Sequence, residues 1–289
     1  MAYRFDPEDR SLEAGLRRIA LAELSAALQR MEGQPTPTGI HEVRKHIKKL
    51  RGLLRLLKPG FRQAAAENAI LRDAAKTLSP LRDSEVRLAT FDRLVAKDRP
   101  ASLAPLRGRL ANERDAVASI PGHLDEAAAA LAALRDRTGQ WRLKGDDRAI
   151  LIAGLADTRR RARITMAAAA ATHDLHLMHE WRKRVKDTWY QARLLAPVWP
   201  GVMNQIADAA GVLGEDLGDH HDYGMLAEHI AAIPPDDLDP AVCAEALALT
   251  RAAQITLEQT AFPAGALLFA GKPKAVARLW ADWWGVSRG

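Results

Sequence analysis

The stretch His41-Glu42-Val43-Arg44-Lys45-His46-Ile47-Lys48-Lys49-Leu50-Arg51-Gly52-Leu53-Leu54-Arg55-Leu56-Leu57-Lys58-Pro59 returns in diverged form as His179 to Pro197. A shift of 138 positions pairs His41 with His179, Glu42 with Glu180, Arg44 with Arg182, Lys45 with Lys183, Lys48 with Lys186, Arg55 with Arg193, Leu56 with Leu194, Leu57 with Leu195 and Pro59 with Pro197, nine identities in nineteen. The chain contains a duplicated unit.

Wound at about 100° per residue, Val43, Ile47, Leu50, Leu54 and Leu57 gather on one side of a helix, and His41, Arg44, Lys45, Lys48, Arg51 and Arg55 on the other. In the second copy Trp181, Val185, Thr188, Ala192 and Leu195 take the apolar positions, and His179, Arg182, Lys183, Lys186 and Arg193 the basic ones. A solvated helix face usually mixes signs so that pairs form between neighbouring turns. Here residues 41–59 hold seven Lys/Arg and one acid, +6, and residues 179–197 hold five and two, +3. Together they carry +9 against +6 for the whole chain, leaving −3 elsewhere, so the basicity is local.

The composition fits packed helices. Hydrophobic residues make up 48% but aromatics only 5%, and Ala-rich runs such as Ala127 to Ala130 supply the difference. Cys243 is the only cysteine, which excludes an internal disulfide and a thiolate-cluster metal site and fits a reducing compartment. Neither a signal-peptide pattern nor an uncharged apolar run of ~20 residues is present, so a cytoplasmic protein with no membrane partner is expected. A pI near 9.6 points to polyanions: nucleic acid, anionic lipid or phosphate polymers.

Read in order, helices are expected from Asp9 to Met31, along the basic stretch to Pro59, and from Arg62 to about Pro80. Asp83-Ser84-Glu85 is expected to cap a fourth. Pro100, Pro105 and Pro121-Gly122 divide the helices closing the first half. The second half repeats the plan: a helix from Asp147 to Ala171, the second basic helix, then Leu217-Gly218-Asp219 where Leu81-Arg82-Asp83 stood. Segments Asp239 to Gln259 and Lys274 to Trp284 finish the chain, with Trp280, Trp283 and Trp284 packing a terminal helix on the body. The expected architecture is all-α: one domain over residues 1–289, made of two four-helix bundles at residues 9–120 and 146–260. These are related by an internal pseudo-two-fold, and residues 261–289 form a C-terminal helical extension. Such symmetry would bring the two basic helices side by side and turn two stripes into one channel.

Arg159 adds to the candidate site, since it lies in register with Leu155, Ala162 and Met166 near an inward stripe, and a buried Arg needs an anionic partner. Arg163 follows one turn on, whereas Arg160 and Arg161 read as solvated. His41 and His179 open their helices at the same place, where an imidazole can donate to a phosphate oxygen. The His41-Glu42-x-x-x-His46 pattern is not a zinc-protease helix, because histidines five apart stand about 140° out of line. His173, His176 and His179 swing around their helix without converging, so with His220, His221 and Asp222 they read as helix-end and surface groups. They also keep a metal-dependent hydrolase open as an alternative. No Gly-rich phosphate loop and no Ser/His/Asp or Cys/His arrangement is present.

The doubled pattern His-Glu-x-Arg-Lys-x-[Ile/Val]-Lys, each copy followed by an acidic loop (Leu81-Arg82-Asp83 and Leu217-Gly218-Asp219), resembles the CHAD family, the conserved-histidine α-helical domain. The resemblance runs from about Leu12 to the last helices. It implies two four-helix bundles with internal pseudo-symmetry and binding of inorganic polyphosphate in a basic central groove or pore. The family's basic motif falls on His41, Arg44, Lys45 and Lys48, and on His179, Arg182, Lys183 and Lys186; Arg51, Arg55 and Arg193 extend the same faces. One departure is Trp189 in the place of Arg51. The resemblance also implies that many relatives carry a triphosphate-processing domain, and none is expected within these 289 residues.

The expectation is a non-catalytic polyphosphate-binding protein with no cofactor and no metal, targeted to polyphosphate granules. A row from His41 to Arg55 spans roughly 21 Å, which suits an extended polymer. The alternatives are a metal-dependent polyphosphate or triphosphate hydrolase using His220, His221 and Asp222, and RNA or DNA binding. Nucleic acid is the poorer fit, because Trp189 is the only large ring on either basic face.

Overall fold

Thr36 starts the first basic helix: its hydroxyl accepts the Gly39 N–H, and Pro37 follows with its φ preset for a first turn. Asp174 starts the second by accepting the Leu177 N–H. Both helices therefore begin before their histidines. His41 and His179 each lie four residues inside (41 − 37 and 179 − 175), not at the opening position expected from the sequence.

The computed structural model describes residues 3–33, 36–78, 80–96, 100–117 and 124–288, which form eleven α-helices and no strand. In chain order they are α1 (Leu12–Gln29), α2 (Pro37–Leu57), α3 (Ala64–Thr77), α4 (Pro80–Leu94), α5 (Ala104–Val117) and α6 (Leu124–Arg137). Then come α7 (Asp147–Thr172), α8 (Leu175–Leu194), α9 (Pro200–Ala231), α10 (Pro240–Leu268) and α11 (Pro273–Val286). The expected break at Pro121-Gly122 lies outside the described residues.

Hydrophobic periodicity decided the inward faces. Val43, Ile47, Leu50, Leu54 and Leu57 of α2 are buried, as are Trp181, Val185, Thr188 and Ala192 of α8 and the capping Leu195. Helices α1, α2, α3 and α6 pack around one core, and α7, α8, α9 and α10 around another, while α2 also lies against α7 and α8. The packing does not follow the sequence boundary at residue 120. Helix α6 joins α1 and α3, whereas α4 and α5 pack on α9 and α10 through Leu88, Phe91, Leu106 and Leu110 against Leu226 and Ile230.

Two segments depart from the sequence reading. Leu217-Gly218-Asp219 is no loop, because α9 runs unbroken through it. At the offset relating Asp83 to Asp219, 219 − 83 = 136, this one helix covers the span that α3 and α4 divide in the first half. Asp83 accordingly falls inside α4, where it cannot be the N-cap; its side chain lies outside the described residues. Helix α10 continues past Gln259 and through Pro263 to Leu268, the helix-interior proline costing one backbone hydrogen bond. Helix α11 lies on α7, with Trp280 and Trp284 buried and Trp283 meeting Trp199 edge-on at 5.0 Å.

Candidate functional site

Helices α2 and α8 cross where Gly52 meets Tyr190. A Cβ on Gly52 would stand 2.9 Å from the Tyr190 Cβ, so the missing side chain sets how near the two backbones come. Beside this crossing lies a groove of about 340 Å³. Helix α2 contributes Arg44, Lys48, Arg51 and Arg55, and α8 contributes His179, Arg182, Lys183, Lys186 and Tyr190. Val86 of α4 and His221 and Asp222 of α9 complete the lining. Both basic stripes thus face one concavity.

The cations are held individually. Arg44 donates to the Ala75 carbonyl at 2.5 Å and Arg51 to Asn68 Oδ1 at 3.0 Å. Arg55 reaches across to Asp187 of α8 at 2.7 Å, and Arg184 holds the other oxygen of that fully buried carboxylate at 3.1 Å. Lys183 pairs with Glu180. Lys186 lies over the Trp189 ring at 4.5 Å, and Arg193 over the same ring at 4.6 Å. The indole in the place of Arg51 therefore supports cations without adding one.

A glycine row on α9 makes room for the α8 cations. A Cβ on Gly214 would fall 2.6 Å from Lys186 Cδ, and one on Gly218 would fall 2.8 Å from an Arg182 terminal nitrogen. The Gly214 carbonyl accepts from Arg182 Nε at 3.4 Å. Glycines at this spacing form a side-chain-free strip along one helix face, over which the two cations lie toward the groove.

Crowded positive charge leaves its mark. Burial, then the neighbouring Arg55, lowers the Arg51 guanidinium to about 10; burial, then Arg182, lowers the Lys186 ammonium. His179 is held at about 4 by burial, Lys183 and Arg182. Its ring packs against that of His221 at a 32° tilt with centroids 4.1 Å apart, and His221 is held at about 3 by burial, His179 and Arg182. Burial is the first cause of each of these shifts, and like charge outweighing the nearby carboxylates adds to it.

The other sequence candidates lie elsewhere. Lys45 is exposed and paired with Glu42 at 3.4 Å, and the exposed His41 does not line this groove. Arg159 is buried, but the anionic partner expected for it is replaced by the carbonyls of Leu268 and Ala270, at 3.1 and 3.0 Å. Arg163 donates to the Gly271 carbonyl at 2.8 Å. Both cap the carboxyl end of α10, where unpaired carbonyls and the helix dipole attract cations. Behind Arg51 and Arg55 a second hollow of about 290 Å³ holds Arg161 and Arg184. These two are already paired, with Asp157 at 2.8 Å and Asp187 at 3.1 Å.

The histidine cluster resolves into two groups. His173 and His220 converge on buried Glu258 at 2.5 and 2.9 Å, while His179 and His221 pack ring against ring at the groove. Among the described residues no three His, Cys, Asp or Glu side chains are placed to hold a metal ion. Asp219, inside α9, pairs with Arg93 at 3.2 Å. Sequence reasoning missed Tyr190, Val86 and the glycine strip, and assigned His221 and Asp222 to a different cluster. The 136-residue offset was a usable signal for Val86 and Asp222, since it pairs them (222 − 86).

An all-α chain built around two crossed cationic helices is the class that fold and groove define. The family model of the CHAD domain matches residues 16–231, and the chain belongs to that family. A crystal structure of the CHAD domain from the plant Ricinus communis shares the fold, with a TM-score of 0.58 at 16% identity, covering 98% of this chain and 95% of that one. No curated protein matches the sequence. Among the described residues no helix is long and apolar enough to cross a membrane.

Proposed function

We propose that this protein binds inorganic polyphosphate without chemical turnover, along the groove between α2 and α8. The observation that carries the reading is the shared lining: Arg44, Lys48, Arg51 and Arg55 on one wall, and His179, Arg182, Lys183 and Lys186 on the other. Arg forks and Lys point charges make charge-assisted bonds to phosphate oxygens. A polymer with no bases to read needs a cationic track more than stacking platforms. Arg159 and Arg163 take no part, since both are committed to α10. Binding to polyphosphate granules in the cytoplasm would follow from the same affinity.

The test is titration with long-chain polyphosphate over a range of salt. Affinity falls steeply with salt, as counterion release requires, and the Arg44→Glu, Arg182→Glu double variant loses binding. Absence of binding at low salt, or a double variant that binds like the parent, refutes the reading. Phosphate release assayed with Mg²⁺, Mn²⁺ or Zn²⁺ would instead support a hydrolase, and tighter binding of single-stranded RNA at matched charge a nucleic-acid protein.

A further inference from the structure

His179 and His221 come from different helices, forty-two positions apart (221 − 179), yet their rings meet inside the cationic groove, tilted 32° to each other with centroids 4.1 Å apart. The Nδ1 atom of each is buried and has no hydrogen-bond partner. An imidazole pair in close contact, walled by Arg182 and Lys183, stays neutral while burial and those cations outweigh Glu180. From the reading above, that the groove takes polyphosphate, we infer that the His179–His221 pair couples binding to proton uptake, the ligand's negative charge letting an imidazole become a cationic donor to it.

The surroundings favour a one-proton device. On α8, His176, Arg182 and Lys183 oppose protonation of the pair and Glu180 favours it; on α9, His220 opposes it and Asp222 lies in the same lining. Helix α2 presents Arg44 and Lys48 to the groove, and α4 presents the uncharged Val86. Helix α10 acts only through Glu258, which holds His220, and Arg251, which stands 3.6 Å from Glu258. Without an anion the cations dominate; with one lying across Arg182 and Lys183 the balance reverses. The first proton then opposes a second on a ring only 4.1 Å away. Glu85 stands at the corresponding position of the first copy (221 − 136), so the device exists at one end of the groove only.

The free imidazoles titrate at about 4 and about 3, and an anion within ~4–6 Å raises such a group by about 1–3 units. The bound form therefore holds more protons than the free form at mildly acidic pH, and affinity rises as pH falls toward that range. Calorimetric titration with long-chain polyphosphate at fixed salt, in buffers of different ionisation enthalpy, counts the protons. At pH 5.5 binding should take up most of one proton and be about fourfold tighter than at pH 7.5, for a bound-state rise of about two units. His179→Gln with His221→Gln abolishes both effects. Uptake that persists in this variant places the protons on Asp222 or the ligand and overturns the inference. If the variant does not fold, NMR titration of the parent's imidazole carbons decides: ring pKa values that polyphosphate leaves unmoved also overturn it. No binding at either pH would refute the polyphosphate reading itself, a result distinct from binding without proton uptake.

Discussion

Gly52 of α2 and Tyr190 of α8, which occupy the same position in the two copies (190 − 52 = 138), are packed against each other where the helices cross. Even a methyl at residue 52 would press on the tyrosine Cβ and ring at 2.9 to 3.0 Å. Tyr190 is held by packing on Tyr3, with ring centroids 5.8 Å apart, and cannot retreat freely. Gly52→Val therefore costs about 1–3 kcal/mol by overpacking. It also widens the groove, so a calorimetric melt should show the loss and polyphosphate titration a weaker complex.

Asp187 ties the two basic stripes together, taking Arg55 from α2 and Arg184 from its own helix. Removing a buried carboxylate leaves the guanidiniums uncompensated, at a cost of about 3 kcal/mol. Asp187→Ala should unfold at lower denaturant than the parent. Polyphosphate should restore more stability to the variant than it adds to the parent, because Arg55 lines the groove and gains an anion there. Equal stabilisation of both proteins would show that Arg55 does not meet the ligand.

What the sequence made legible was what periodicity controls. The buried sides of α2 and α8 follow from apolar residues recurring every three to four positions, and their cationic sides from the preserved charges. The unbroken course of α9 was hidden at Gly218, read as part of a loop, whereas Gly211, Gly214 and Gly218 lie within the helix under the α8 side chains Trp189, Lys186 and Arg182. Arg159 looked like an anion seeker because its inward position was visible and the end of α10 was not. The meeting of His179 and His221 depends on how α8 packs on α9, a non-local fact that no spacing along either helix encodes.

Arg159 provides a contrast to the groove residues. Its terminal nitrogen holds two carbonyls at the end of α10, and its guanidinium lies 5.7 Å from the centre of the Phe269 ring. Arg159→Met keeps much of the stem but leaves those carbonyls with lost partners, a cost of about 1–3 kcal/mol. Chemical denaturation should detect that loss while polyphosphate affinity at fixed salt stays at the parent value. A drop in affinity comparable to that of the Arg44→Glu, Arg182→Glu variant would put Arg159 back in the binding site.

The last prediction concerns the protein without ligand. His179 and His221 sit at about 4 and about 3 in the folded chain against an ordinary 6.5, so between these values the unfolded chain binds more protons. Stability is then full above pH ~6.5 and declines as pH falls toward the folded values, where the imidazoles finally charge in place. Glu23, buried but held below its usual range by His46 and Lys49, has the same sign at lower pH: its contribution is present above about 4.5 and lost below. Melting temperatures from pH 7 to 5 should therefore fall in the parent and fall less in His221→Gln, which removes one of the two histidines. Added polyphosphate should flatten the parent's decline over the same interval. A variant that declines as steeply as the parent would mean that the His179–His221 pair does not carry this acid sensitivity.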